Sequence, residues 1–267
     1  MTLRILPAAI VLLLFCSLGA FAANDCVFTI GVNTWTLTND CTTDATILVP
    51  NGFTLDGANH TITAKDPAGD HFRGAVIKNG GTSATVQNLK VTARGLSDAC
   101  NDGDDRLRGI LFDGAGGSIL NNTVFNINRG RSGCQEGNGI EVRNAPFDNT
   151  GNDLVVTISG NTVTNYQKNG ITANGSVAAV ITNNTVTGAG PVDYIAQNGI
   201  QIGFGATALM RGNAESGNDD TAKTNLACGV LFFGADGVAA SQDKMSDNQR
   251  NLCNAGRGGG QYSPHLP

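Results

Sequence analysis

A short phrase recurs along this chain and constrains its fold: a glycine, an apolar residue, then polar and apolar residues in alternation. It reads GAVIKNG from Gly74, GILFDG from Gly109, GIEVRN from Gly139, GITANG from Gly170, GIQIGFG from Gly199 and GVLFFG from Gly229. These glycines fall 35, 30, 31, 29 and 30 residues apart. A period of this size marks an array of one supersecondary unit, stacked copy on copy. Within each copy Ile140 and Val142 alternate with Glu141 and Arg143, and Ile171 and Ala173 with Thr172 and Asn174. Alternation with period two predicts half-buried strands. A second phrase follows each first one: VQNLKV around Asn88, LNNTVFN around Asn122, SGNTVTN around Asn161, TNNTVTG around Asn184 and RGNAESG around Asn213. Asparagine tolerates left-handed backbone and bonds locally, so it suits a tight bend between strands. Stacked copies of it also predict a ladder of side-chain amides.

The ends follow another logic. Arg4, an apolar run from Ile5 to Leu18, and the A-x-A site Ala20-Phe21-Ala22 have the layout of a secretory signal peptide. The expected organisation is a signal peptide over 1–22, an N-terminal cap over 23–52, a parallel β-helix over 53–253 and a flexible tail over 254–267. The apolar run is short for a membrane span. The expectation is a secreted, extracellular or periplasmic protein, not membrane-spanning and monomeric. The formal net charge of −5 and the lack of a basic run argue against nucleic acid as a partner. Six of the seven cysteines lie beyond the signal, and an even count in an exported chain predicts disulfides. Their places relative to the repeat favour Cys26–Cys41, Cys100–Cys134 and Cys228–Cys253.

ILVPNGFTLDGANHTITA, from Ile47 to Ala64, together with the GNTVTN and NGI phrases, resembles the pectin-lyase-like superfamily. The resemblance spans nearly all of residues 40 to 250. It implies an all-β, single-stranded, right-handed parallel β-helix, a solenoid whose ends are tied by disulfides. It does not imply one activity, because enzymes and non-enzymatic proteins share these phrases. The Asn-Thr-Asp, Gly-His-Gly and Arg-x-Lys set of polygalacturonases is absent, as are the Asp-His motif of pectate lyases and the Asp-Pro-His-Asp motif of alginate epimerases.

Function is expected where the copies differ. Segments of variable length enter just before each repeat glycine, between the Asn bend and the next copy, and insertions in solenoids collect on the binding face. The strand beside them is expected to present two outward columns: Val76, Leu111, Glu141, Thr172, Gln201, Leu231, and Lys78, Asp113, Arg143, Asn174, Gly203, Phe233. Asp105, Asp113, Glu141, Arg143 and Lys168 are the candidates for chemistry. Arg108, Arg131, Tyr166, Tyr194 and Gln201 are the candidates for substrate binding: the arginines for carboxylates, the tyrosines for stacking on sugar rings. Asp102, Asp104 and Asp105 offer oxygen ligands suited to Ca²⁺, the one cofactor the sequence suggests. The leading reading is a protein that binds an extracellular polysaccharide and processes it as lyase, epimerase or hydrolase. The alternative is a non-enzymatic extracellular or surface scaffold. The sequence leaves open whether the chain is an enzyme.

Overall fold

The computed structural model describes residues 24–256 except 149 and 152. The signal-peptide assignment and most of the tail lie outside these residues. The chain winds into coils, each contributing one strand to each of three sheets. One coil shows the unit: Asn169–Gly175, then Val177–Thr182, then Thr185–Val192. Each strand pairs in parallel with its counterpart in the next coil, giving a parallel β-helix solenoid.

We call the three sheets floor, back and bend. The floor sheet has eight strands: Ile47–Val49, Ala75–Asn79, Arg108–Asp113, Asn138–Asn144, Asn169–Gly175, Asn198–Gly203, Cys228–Phe233 and Arg250–Ala255. The back sheet runs from Phe28–Ile30 to Gly237–Ser241, and the bend sheet from Cys41–Thr43 to Lys244–Ser246. Stacking begins before residue 53, because Thr34–Leu37 already pairs in parallel with Phe53–Asp56. The cap proper is the single antiparallel strand Phe28–Ile30. Trp35 seals it, stacked on Phe28 and edge-on to Phe53.

Parallel register turns the alternation into columns. In the floor sheet Ile77, Ile110, Ile140, Ile171, Ile200, Val230 and Leu252 stand over one another. All but Leu252 are buried; among the described residues no further strand covers that one. Val91, Val124, Val163 and Val186 do the same in the bend sheet. Each such side chain contributes about 1.5–3 kcal/mol by leaving water. The repeat glycine is required by close approach: a Cβ on Gly139 would lie 2.4 Å from the Val163 side chain and 2.8 Å from the Gly170 carbonyl oxygen.

The register corrects the outward columns at their first rung. Lys78, not Val76, lies beside Leu111, and Val76 is buried. The opening interval is longer because Gly74 sits two residues before the strand position the other repeat glycines occupy. The second column loses Lys78 to the first and holds from there on: Asp113, Arg143, Asn174, Gly203 and Phe233 are consecutive neighbours.

The amide ladder is present, and it separates two roles. Asn121, Asn183 and Asn88 take the left-handed bend, at φ of 55°, 55° and 51°. The following residues Asn122, Asn161, Asn184 and Asn213 are buried and carry the bonds. Each donates its side-chain amide to the Oδ1 of the next rung and to a backbone carbonyl of the preceding coil. The ladder starts at the Leu89 backbone N–H and ends at Asp243. The three disulfides pair as the repeat suggested: Cys26–Cys41, Cys100–Cys134 and Cys228–Cys253, with Cα atoms 5.0, 5.3 and 6.0 Å apart.

Near the C-terminal end one rung breaks the apolar rule. Glu215 occupies the bend-sheet column after Val186, and neither carboxyl oxygen has a hydrogen-bond partner. Burial, aided by the nearby Asp243, pushes its carboxyl up to about 8. Asp243, whose Oδ2 is also unpartnered, is raised by burial too.

Two outcomes are expected. Asn184→Ala orphans the amide groups above and below it, at about 1–3 kcal/mol for each group left buried and unpaired. Urea denaturation should therefore show a loss of a few kcal/mol. The folded Glu215 keeps its proton well above the ordinary carboxyl pKa. Its stabilisation is therefore complete below about pH 4.5 and is lost as pH rises toward 8. Glu215→Gln should flatten the fall of the thermal midpoint across that window.

Candidate functional site

The variable segments form a wall along one edge of the floor sheet, and buried polar groups lock it. Arg129 is fully enclosed, and its Nε lies 2.9 Å from Glu136 Oε1. The same guanidinium donates to the carbonyls of Ser97 and Phe72, in the two preceding loops. Glu136 accepts from the backbone N–H groups of Asn101 and Leu107. Gln167 and Gln197 continue the pattern, bonding to backbone of the loops before them. A buried ion pair satisfied on all sides fixes geometry more than it adds stability.

Beneath the wall, the outward face of the floor sheet is partly roofed. Arg108 and Glu141 are buried there and paired, with Nε to Oε2 2.6 Å. Asn138 also donates to this Glu141 oxygen, and Arg108 donates to the carbonyls of Gly103, Asp104 and Arg106. Arg143 bridges Asp113, at 2.9 Å, and Asp104, at 2.5 Å. Burial opposes the Arg143 charge, but these two carboxylates outweigh it and raise its pKa. Burial alone would raise the Asp113 carboxyl; hydrogen bonds from Arg143 and Lys78 hold it below its ordinary value. The Arg143 hydrogen bond lowers Asp104 likewise. Of the candidates for chemistry, Asp113 and Arg143 are thus paired with each other and Glu141 with Arg108, so these charges are spent on neighbouring side chains.

Lys168 differs. Its Nζ donates to the Ala196 carbonyl at 3.2 Å, and it makes no ion pair among the described residues. Burial lowers its pKa. It lies between two contiguous hollows. One, of about 160 Å³, includes Arg108, Glu141 and Gln201 in its lining. The other, of about 680 Å³, is floored by Asn198, Leu231 and the Cys228–Cys253 disulfide and walled by Tyr194 and Leu226. Among the described residues Lys168 and Arg250 are its charged groups, and no carboxylate lines it. Together they make a trough running across the coils, locally cationic on a protein of net charge −5.

The remaining candidates sort by burial. Arg131 is exposed, pairs with Asp193 and stacks over the Tyr194 ring at 5.1 Å. Tyr194 is half-buried at the trough wall, and burial raises its pKa. Gln201 donates to Asn174 and accepts from Asn169. Tyr166 is corrected: it is 1% exposed, with its hydroxyl bonded to Asn218, so no ligand in the trough can stack on it. The acidic loop does not fit Ca²⁺. Asp102 bonds Arg106 and Asp104 bonds Arg143, while Asp105 lies exposed in a short 3-10 turn. Among the described residues, the acidic groups whose ligand atoms lie within 4.8 Å of one another include two cysteines each, already joined in disulfides.

Sequence reasoning missed one side of the site. Opposite the loop wall the trough is edged by Phe204 and Phe233, their ring centroids 5.2 Å apart. Phe204 could have been found from the phrase GIQIGFG, where its neighbours place glycine.

Removing one member of the Arg108–Glu141 pair should expose its role. Glu141→Ala leaves a buried guanidinium without its counter-charge, and chemical denaturation should show a loss of about 3–5 kcal/mol. Adding Arg108→Met to that variant should restore most of the loss.

Comparison of the chain with protein-family models, with curated proteins and with solved structures finds no match, so the site is read from its own geometry.

Proposed function

We propose that the protein is an exported binding protein for an acidic extracellular polysaccharide, which lies in the trough along the floor sheet. The observation that carries this reading is the charge of the larger hollow: among the described residues Lys168 and Arg250 line it and no carboxylate does. A uronate-bearing polymer brings carboxylates that such cations hold by charge-assisted hydrogen bonds. The exposed amide of Asn254, in the lining of the larger hollow, suits its hydroxyls. Export fits the three disulfides, which belong to an oxidising compartment. No helix among the described residues is long and apolar enough to cross a membrane. Membership of the pectin-lyase-like superfamily belongs to the same reading and rests on the repeat phrases and the parallel coils.

Binding is favoured over turnover because the acids near the trough are engaged. A hydrolase needs two carboxyl groups facing one bond, one of them held protonated. Asp104 and Asp113 are instead held ionised by Arg143. One observation keeps a lyase in view: Lys168, an amine with a lowered pKa and no ion pair among the described residues, has the character of a general base.

Affinity electrophoresis in polygalacturonate gels tests both. Retardation of the wild type is expected, weakening with added salt as screening shortens the reach of the cations. Lys168→Ala should bind about tenfold more weakly, in keeping with loss of one charge-assisted contact. No retardation by any polyuronate would refute the reading. A rise in unsaturated-uronate absorbance that Lys168→Ala abolishes would convert it to a lyase.

A further inference from the structure

The aromatic edge opposite the loop wall combines a backbone cost with an exposed apolar side chain. Phe204 has φ of 53°, in the left-handed region that bulky residues avoid. Flanking coils use glycine here: Gly175 on one side at φ of 77° and Gly234 on the other at 64°. The register makes them neighbours, since Asn174, Gly203 and Phe233 align immediately before. A strained residue persists when the surroundings impose it or when its side chain is used. Burial does not account for Phe204, which is 42% exposed.

Two more phenylalanines share the exposure. Phe233 is 42% and Phe147 48% exposed, and the Phe147 ring lies against Gly175. Together they line a hollow of about 310 Å³, whose rim also carries Asp148 and Asp236. Phe233 lines both this hollow and the larger trough hollow, so the two adjoin at its ring.

We infer that Phe204, Phe147 and Phe233 form a stacking subsite for a neutral pyranose. The rings present flat apolar faces to the C–H face of a sugar, as aromatic rings do in offset contact. The Asp148 carboxylate suits a sugar hydroxyl donor and repels a uronate. The inference rests on the reading of the trough as a polysaccharide site and narrows the ligand: a heteropolymer with acidic units over Lys168 and Arg250 and neutral units over the phenylalanines.

Phe204→Gly is a favourable test, because it restores the residue that flanking coils use and relieves the backbone. The wild type and this variant are compared by saturation-transfer NMR with cellohexaose, xylohexaose and mannohexaose, and by affinity electrophoresis with polygalacturonate. The wild type is expected to saturate the ring protons of at least one neutral oligosaccharide. Phe204→Gly should bind it at least about tenfold more weakly, with an unchanged or higher thermal midpoint, while Phe204→Tyr retains binding. If neither protein binds polygalacturonate but the neutral contact is lost in Phe204→Gly, the acidic-trough reading fails and the subsite stands. Equal binding by wild type and Phe204→Gly overturns the inference, as does failure of all three neutral probes to bind the wild type. A wild-type dimer that Phe204→Gly dissociates overturns it too, by assigning the edge to a second copy.

Discussion

No coil of this protein completes its own hydrogen bonds. Each strand's backbone groups and each buried amide find partners one rung away, so every rung depends on the register of its neighbours. Side chains are thereby forced into columns, and a column tolerates only what can stand on a copy of itself. Branched aliphatics satisfy this by contact, and asparagine by donating to one neighbour while accepting from the other. Glycine satisfies it where the floor strand begins, because the next coil's carbonyl leaves no room for a Cβ.

The site inherits this rigidity. Loops on a surface are ordinarily mobile, but here Arg129 ties three of them through two carbonyls and Glu136. Arg108 and Glu141 anchor the floor below. A trough built this way is formed in advance, so the polysaccharide proposed for it would be spared the ordering cost of association. The charged side chains fall into two groups. Those in mutual pairs hold the wall and floor, whereas Lys168 and Arg250 face the open hollow.

The fold was readable because periodicity reports stacking directly. The Gly-Ile alternation located the floor sheet, and the asparagine phrases located the bend, although the bend and ladder roles fall on adjacent residues. The first rung misled by two residues, because Gly74 resembles the repeat glycine without occupying its place. The disulfides followed from the repeat alone. The site was less readable. Asp113 and Arg143 were legible as neighbours, since both lie in one column. Which loop residues are buried depends on how segments of unequal length fold back, and no period reports that. Tyr166 therefore read as a surface ring, and nothing in the sequence marked Arg129 and Glu136 as buried. Phe204 was legible only as a phenylalanine where the flanking phrases GITANG and GVLFFG place glycine, and its meaning lies in a backbone angle.

The amide ladder has a direction, and therefore an end group. Asn122 opens it by accepting a backbone N–H, and each asparagine hands a donor onward. Asp243 receives from Asn213 but, as a carboxylate, has no N–H to hand on. An asparagine placed beyond it would meet oxygen with oxygen. The ladder is thus terminated chemically, as a growing polymer is by a capped monomer. A second molecule stacked head to tail would find no continuation of the ladder, which counters the tendency of open parallel sheets to grow into fibres.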